Sequence, residues 1–503
     1  MNANLFARME AGYEPTAVAV ETAAGARLTY GDLFAMTARF ANALRAHGVE
    51  PGDRVAVQVE KSAENLALYL ATLRAGGVYL PLNTAYTPRE LSYAFTDAEP
   101  KLIVCDPASD VAVAEVAGNV AVATLDAAGG GSLAEAAADM PDAFDTIPLS
   151  DDDLAAILYT SGTTGQPKGA MLTHRNLVAN ALTLVTAWQL AIDDVLIHAL
   201  PIYHTHGLFV AANTMLLAAG KMLLLSKFDA DAVVAAMPRA TVLMGVPTFY
   251  TRLLAHPGLT HEAASHMRLF TSGSAPLLAE THRAFAERTG HAILERYGLT
   301  ETGMDTSNPY DGARIPGTVG LPLPGVDVRI ADAETGAVLP TGETGIVEVR
   351  GSNVFQGYWR MPDKTAAEFR PDGFFKTGDL GVIDGRGYLT IVGRAKDLII
   401  SGGLNVYPKE VEEAIDALPG VAESAVIGTP HADLGEGVVA VVVPAAAGAT
   451  NEAAILAALV GELAGFKRPK RVIVVDELPR NVMGKVEKHV LRERFKDVLA
   501  ARG

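Results

Sequence analysis

Tyr159-Thr-Ser-Gly-Thr-Thr-Gly-Gln-Pro-Lys-Gly169 is the stretch on which the reading of the whole chain turns. The apolar run before it, Leu154 to Leu158, reads as a buried strand. After it, Thr173 is placed to cap a helix that carries Leu177, Leu182, Leu184 and Val185 on helical spacing. Between the two, Gly162, Gly165 and Gly169 let backbone approach an anion. Thr160, Ser161, Thr163 and Thr164 offer hydroxyl donors, and Lys168 offers charge. A strand that turns through such residues into a helix is a phosphate-holding arrangement. It is not the loop of kinases and GTPases, because Gly169 follows Lys168 where that motif needs Ser or Thr.

Outward from this stretch, strands and helices alternate. Leu28 to Val49 reads as a helix, Arg54 to Val59 as a strand, Glu64 to Arg74 as a helix, and an apolar run ends at Pro81. Downstream, four further apolar runs each deliver a polar cluster just past their ends. Val195 to Leu200 leads to Pro201-Ile-Tyr-His-Thr-His-Gly207, and Ala240 to Gly245 leads to Val246-Pro-Thr-Phe-Tyr-Thr-Arg252. Met267 to Phe270 leads to Thr271-Ser-Gly-Ser-Ala-Pro276, and His291 to Leu294 leads to Glu295-Arg-Tyr-Gly-Leu-Thr-Glu-Thr302. Open α/β sheets build ligand sites outside the carboxyl ends of their strands, so these clusters predict one composite pocket. From about residue 320 the texture changes to short, glycine-punctuated strands. Beyond Gly393-Arg-Ala-Lys-Asp397 a compact α+β unit runs to the end. The expected fold is therefore α/β: a large N-terminal domain of wrapped parallel sheets (1–394, β-rich from about 320) and a small, mobile α+β C-terminal domain (395–503).

Composition narrows the function. A chain of 503 residues exceeds one ordinary core, and 49% hydrophobic residues give ample apolar surface to bury. A net charge of −17 with no block of lysines or arginines argues against nucleic acid and anionic membrane as partners. Cys105, the single cysteine, sits in the apolar run Leu102-Ile-Val-Cys105, which makes an inert buried thiol the favoured reading and fits a reducing compartment. Neither a signal peptide nor a membrane-length apolar run is legible, so the chain reads as soluble and cytoplasmic.

The phosphate stretch resembles the signature of the adenylate-forming superfamily of acyl-CoA synthetases, peptide-synthetase adenylation domains and beetle luciferases. Other signatures of that family follow in order, and together they cover about Leu28 to Lys488. The resemblance implies two half-reactions: a carboxylate attacks ATP to give acyl-AMP and pyrophosphate, then a thiol such as CoA displaces AMP. It also implies roles for residues. Gly273, Ser274 and Ala275 form a wall beside the adenine. Glu295, Arg296, Tyr297 and Gly298 frame the nucleotide, with Tyr297 against the base. Thr300 contacts the α-phosphate, and Glu301, with Thr160, holds Mg²⁺. Asp379 accepts both ribose hydroxyls, and Arg394 contacts ribose or phosphate. Lys485, in Leu478-Pro-Arg-Asn-Val-Met-Gly-Lys485, is the catalytic cation, and Lys396 is the hinge. Gly402 and Gly403 admit the pantetheine arm, and His204 occupies an aromatic position that shapes the pocket wall. Acetylation of Lys485 by a lysine acetyltransferase would remove its charge.

The acid to be activated has its own signal. His206, Arg252 and Ser274 are expected to face the acyl group, with Met304 beside them and Arg283 as a second candidate cation. Buried polar groups need partners, so such a lining calls for a substrate that brings a second carboxylate. The segments around Arg252, Ser274 and Glu295 to Ser307 resemble those of malonyl-CoA synthetases, which implies malonate, with methylmalonate next. Another short carboxylic acid, or an adenylating enzyme that loads a carrier protein, remains open at this stage.

Overall fold

The computed structural model describes residues 2–160, 167–402, 404–431, 434–460, 462–481 and 484–499. The chain divides into two compact units: Met1–Asp327 with Val349–Phe375, and Val328–Glu348 with Lys376–Gly503.

The first unit contains two large sheets. One runs, in spatial order, Gly357–Tyr358, Lys168–Thr173, Leu154–Thr160, Val78–Pro81, Arg54–Gln58, Leu102–Cys105 and Ala121–Thr124. Its five strands from Leu154–Thr160 onward pair in parallel, as alternation with helices predicts. The helix Ala63–Arg74 is buried at every position except Glu64, which is why its sequence is apolar all round rather than striped. Cys105 is buried, and burial pushes its thiol up to about 12, in keeping with a packing role.

The sequence expectation fails at one informative place. Thr173 does cap the helix His174–Ala187, with a reciprocal Thr173–Asn176 capping box. The phosphate stretch, however, does not run into that helix. It joins Leu154–Thr160 to a second strand, Lys168–Thr173, antiparallel to the first, with Thr160 opposite Lys168. Six residues, Lys168-Gly-Ala-Met-Leu-Thr173, are enough for a strand, so a strand and not the helix His174–Ala187 comes next in the chain. Ser161, Gly162, Thr163, Thr164 and Gly165 lie outside the described residues.

The second sheet of this unit places Leu294–Tyr297, Leu269–Ser272, Val242–Gly245 and Val195–His198 side by side and parallel. All four polar clusters read from the sequence therefore emerge at the same edge of one sheet. The last of the four strands begins later than expected, at Leu294 rather than His291, so Glu295, Arg296 and Tyr297 belong to the strand and not to the loop after it.

The second unit holds much of a four-stranded sheet in which Phe375–Ile383 and Leu389–Arg394 pair antiparallel. It also has a five-stranded sheet centred on Gly435–Pro444. Both faces of that central strand are covered. Val438, Ala440 and Val442 pack with Val411, Ile415 and Ile455, while Val439 and Val441 pack with Leu478 and Leu491. A strand buried on both faces accounts for the continuous apolar run. This division differs from the expected 394/395 boundary, because much of the β-rich region groups with the C-terminal part. Lys409, on the helix Pro408–Asp416, donates to the carbonyl of Ile391 in the β-rich sheet at 2.7 Å, one of the ties responsible.

Candidate active site

At the common strand edge of the first unit, buried basic groups gather around Ser274. His206 opens a π-helical turn, His206–Ala212, and is buried, with Nδ1 3.2 Å from Ser274 Oγ. Ser274 follows the strand Leu269–Ser272 with φ of 69°, a left-handed conformation uncommon for a residue with a side chain and one that concentrates at functional sites. The His206 N–H donates to His204 Nδ1 at 3.2 Å, which fixes the tautomer of the half-buried His204.

Arg296 completes the group. It is 2% exposed, and a Cβ on Gly273 would fall 2.3 Å from its Nη1, so the guanidinium lies flat against backbone that only glycine leaves open. Among the described residues, its Nε and Nη2 have no hydrogen-bond partner, and neither has His206 Nε2. Burial lowers Arg296 to about 9. Burial, then Arg296, lower His204 to about 4; burial, then Arg296, His204 and His198, hold His206 well below the usual imidazole range. At neutral pH the pocket therefore presents one guanidinium with two neutral imidazoles and a hydroxyl, a set that receives an anion. Native structures rarely leave buried donors of this kind unmatched without a functional reason.

The two arginines expected from the sequence to clamp the acid are elsewhere. Arg252 is exposed on the helix Pro247–Ala255, whose buried face is Phe249, Tyr250 and Leu253. Arg283 is exposed on Ala279–Thr289, which turns Thr281, His282, Phe285 and Thr289 inward. Neither is among the charges that shift His206. Helical phase leaves both side chains exposed, and the buried arginine of this group is Arg296.

Tyr297, at the strand end, leads into a closed loop. Asp305 N–H donates to the Tyr297 carbonyl at 2.9 Å, and Thr302 Oγ1 donates to Asp305 Oδ2 at 2.6 Å. Asn180 locks the far side, accepting from Met304 N–H at 3.1 Å and donating to its carbonyl at 2.8 Å. Gly298, Thr300 and Glu301 ride on this loop, all half-buried, and Met304 is buried. The Glu301 carboxylate accepts from Tyr358 Oη at 3.0 Å. Gly273 is buried and Ala275 half-buried beside Ser274. Buried Lys168 and half-buried Thr160 face each other on paired strands, where Thr160 Oγ1 lies 3.4 Å from the Lys168 carbonyl.

In the second unit, Asp379 and Arg394 are cross-strand neighbours and form an ion pair at 2.8 Å, with Asp379 buried and its N–H bonded to Thr377 Oγ1. Lys396 is exposed in the turn Ala395–Asp397. Gly402 turns between Ile399–Ser401 and Leu404–Val406 with φ of 59°; Gly403 lies outside the described residues. The Lys485 main chain is held by Asn481, whose N–H donates to the Lys485 carbonyl at 3.0 Å and whose Oδ1 accepts the Lys485 N–H at 3.0 Å. Its side chain reaches solvent, yet surrounding protein, then Arg394, lower its ammonium to about 8, against the pull of Asp379.

Two family descriptions match the chain: AMP-binding enzyme over residues 7–359, and AMP-binding enzyme C-terminal domain over residues 410–485. The chain belongs to the AMP-binding enzyme family. A crystal structure of ATP-bound MatB from Rhodopseudomonas palustris is 63% identical, covers 99% of this chain and 100% of its own, and superposes with a TM-score of 0.98. Among curated relatives, a feruloyl-CoA synthase from Amycolatopsis is 39% identical, with 94% of each chain covered. A malonate–CoA ligase from Arabidopsis thaliana is 34% identical, with 89% of this chain and 78% of its own covered. In this member of the family, no helix among the described residues is long and apolar enough to cross a membrane.

Proposed function

We propose that this AMP-binding enzyme is a malonyl-CoA synthetase: it joins malonate to ATP, releasing pyrophosphate, and transfers the acyl group of malonyl-AMP to CoA, releasing AMP. The observation that carries the choice of acid is the buried Arg296 guanidinium beside His206 and Ser274. One carboxylate of malonate accepts from Arg296 and from the Ser274–His206 pair, and this fixes the other carboxylate toward the α-phosphate. That second carboxylate is the nucleophile; its oxygen forms the bond to phosphorus as the bond to pyrophosphate breaks. The relatives at 63% and 34% identity, MatB and a malonate–CoA ligase, support the same reading.

The remaining assignments extend the same reading to the other site residues. Thr300 donates to the α-phosphate, Tyr297 and the Gly273–Ala275 turn line the base, and Asp379 with Arg394 receives the ribose. Lys168 and the phosphate stretch hold the β- and γ-phosphates. Glu301 fits Mg²⁺, which prefers one or two carboxylates beside phosphate oxygens, with Thr160 as a further oxygen. When bound, the metal neutralises phosphate charge. Lys485 supplies the cation to the pentavalent transition state, and Lys396 is the hinge between adenylating and thioester-forming poses. Methylmalonate is a second substrate, since one added methyl in a pocket changes discrimination only ~10–200-fold. The protein acts in the cytoplasm, and a lysine acetyltransferase that modified Lys485 would silence adenylation.

The test of the acid is ATP–pyrophosphate exchange with malonate, methylmalonate, acetate and hexanoate, followed by mass analysis of the CoA product. Malonate should lead by a wide margin; equal exchange with acetate or hexanoate would refute the diacid reading. A pH dependence follows from Lys485. Its ammonium, lowered to about 8, is the active form, so adenylation should hold at neutral pH and fall as pH rises through about 8. Lys485→Arg, charged throughout, should shift that alkaline limb upward in whatever activity it retains. A limb that stays in place would assign it to another group.

A further inference from the structure

Tyr358 is used by neither the adenine, the acid nor the hinge, yet it touches two groups that handle the phosphates. Its hydroxyl donates to Glu301 Oε1 at 3.0 Å, and its ring centroid lies 4.2 Å from Lys168 Nζ. The side chain is 4% exposed, so both contacts are shielded from water, where a hydrogen bond to a carboxylate and a cation over an aromatic face are each stronger than at a surface.

The backbone around Tyr358 is arranged to hold it there. Gly357–Tyr358 is an edge strand paired with Lys168–Thr173, Tyr358 standing opposite Ala170, so the ring is fixed relative to the base of the phosphate hairpin. Three residues earlier, Phe355 N–H donates to the Glu301 carbonyl at 2.7 Å. Gly357 adopts φ of 142°, and a Cβ there would strike Thr365 Cγ2 at 2.6 Å; without it, Thr365 Oγ1 accepts the Tyr358 N–H at 2.9 Å. The segment Phe355-Gln-Gly-Tyr358 thus grips Glu301 by main chain and by side chain while it is itself stitched to the strand that begins at Lys168.

We propose that Tyr358 is a positioning residue that sets the spacing between Lys168 and the Glu301 carboxylate, and so the geometry in which magnesium and the triphosphate are received. The hydroxyl occupies Oε1 and turns the carboxylate in one orientation; the ring keeps the Lys168 ammonium from drifting toward Glu368, whose Oε1 is 4.0 Å from it. This rests on the metal role assigned to Glu301 above. A residue that only filled space would leave the metal dependence alone.

The experiment compares wild type, Tyr358→Phe, Tyr358→Leu and Glu301→Gln. ATP binding is measured by calorimetry with and without Mg²⁺, and ATP–pyrophosphate exchange is titrated with Mg²⁺. Tyr358→Phe keeps the ring and loses the hydroxyl. It should bind metal-free ATP as wild type does, but need about tenfold more Mg²⁺ for half-maximal exchange, the size expected for one hydrogen bond to a charged group. Tyr358→Leu should in addition weaken metal-free ATP binding, because Lys168 loses its aromatic face. The KM for malonate should not move in Tyr358→Phe. An unchanged Mg²⁺ requirement in Tyr358→Phe, with Glu301→Gln shifted, would overturn the proposal while sparing the metal role of Glu301. An unchanged requirement in Glu301→Gln as well would overturn both.

Discussion

Arg296→Met should lower kcat/KM for malonate by about 10²–10³-fold, the range expected when one partner of a buried, hydrogen-bonded charge pair is removed. The same substitution should leave the weak exchange of acetate unchanged or improved, because acetate brings no second charge to pair. Stability separates this from a structural role. In the ligand-free protein the Arg296 guanidinium is buried with Nε and Nη2 unmatched among the described residues, a condition that costs stability rather than adding it. Replacing it with an apolar side chain of similar length should therefore keep or raise Tm. Calorimetry beside the exchange assay reads both effects. A large fall in Tm with equal loss on both acids would make Arg296 a folding residue. Arg296→Lys should recover little, since a point charge does not reproduce the planar fork that lies on Gly273.

Lys485→Ala should cost about 10²–10³ in the rate of malonyl-AMP formation, the usual effect of losing one group that stabilises charge in a transition state. Thiolysis of malonyl-AMP supplied from outside should proceed at close to the wild-type rate. The two half-reactions are measured separately, by quench-flow release of pyrophosphate and by appearance of malonyl-CoA from added adenylate. Both bonds between Asn481 and Lys485 use the Lys485 main chain, so truncating its side chain leaves them in place. Equal loss in both halves would give Lys485 a general role and remove the reason for a hinge at Lys396.

Much of the fold is legible in the sequence, as is the strand edge that carries the candidate site, and the failures share a physical cause. Alternating strands and helices announced the parallel sheets, and four polar clusters at strand ends announced one edge. These signals survive because they depend on periodicity and order along the chain. What failed depended on phase. Arg252 and Arg283 occur in the right neighbourhood, but a helix rotates its residues by about a quarter turn or more per step, and each arginine falls on the outer face. Arg296 was read as loop because the strand was ended three residues early, and its burial follows from belonging to Leu294–Tyr297. The signal for it is Gly273, where a missing side chain leaves room for a guanidinium. The phosphate stretch misled in the opposite way. Thr173 is a true cap, yet the six residues before it pair as a strand, which no capping rule reveals.

The most direct check of the central claim uses two acids that differ by one charge. ATP–pyrophosphate exchange is measured with malonate and with its monomethyl ester, each having one carboxylate able to attack phosphorus. With Arg296 receiving the other carboxylate, malonate should exceed the ester by about 10³-fold or more, as for sites whose buried donors are left unmatched, and Arg296→Met should collapse that ratio. Equal exchange of malonate and ester by the wild-type enzyme would contradict the account.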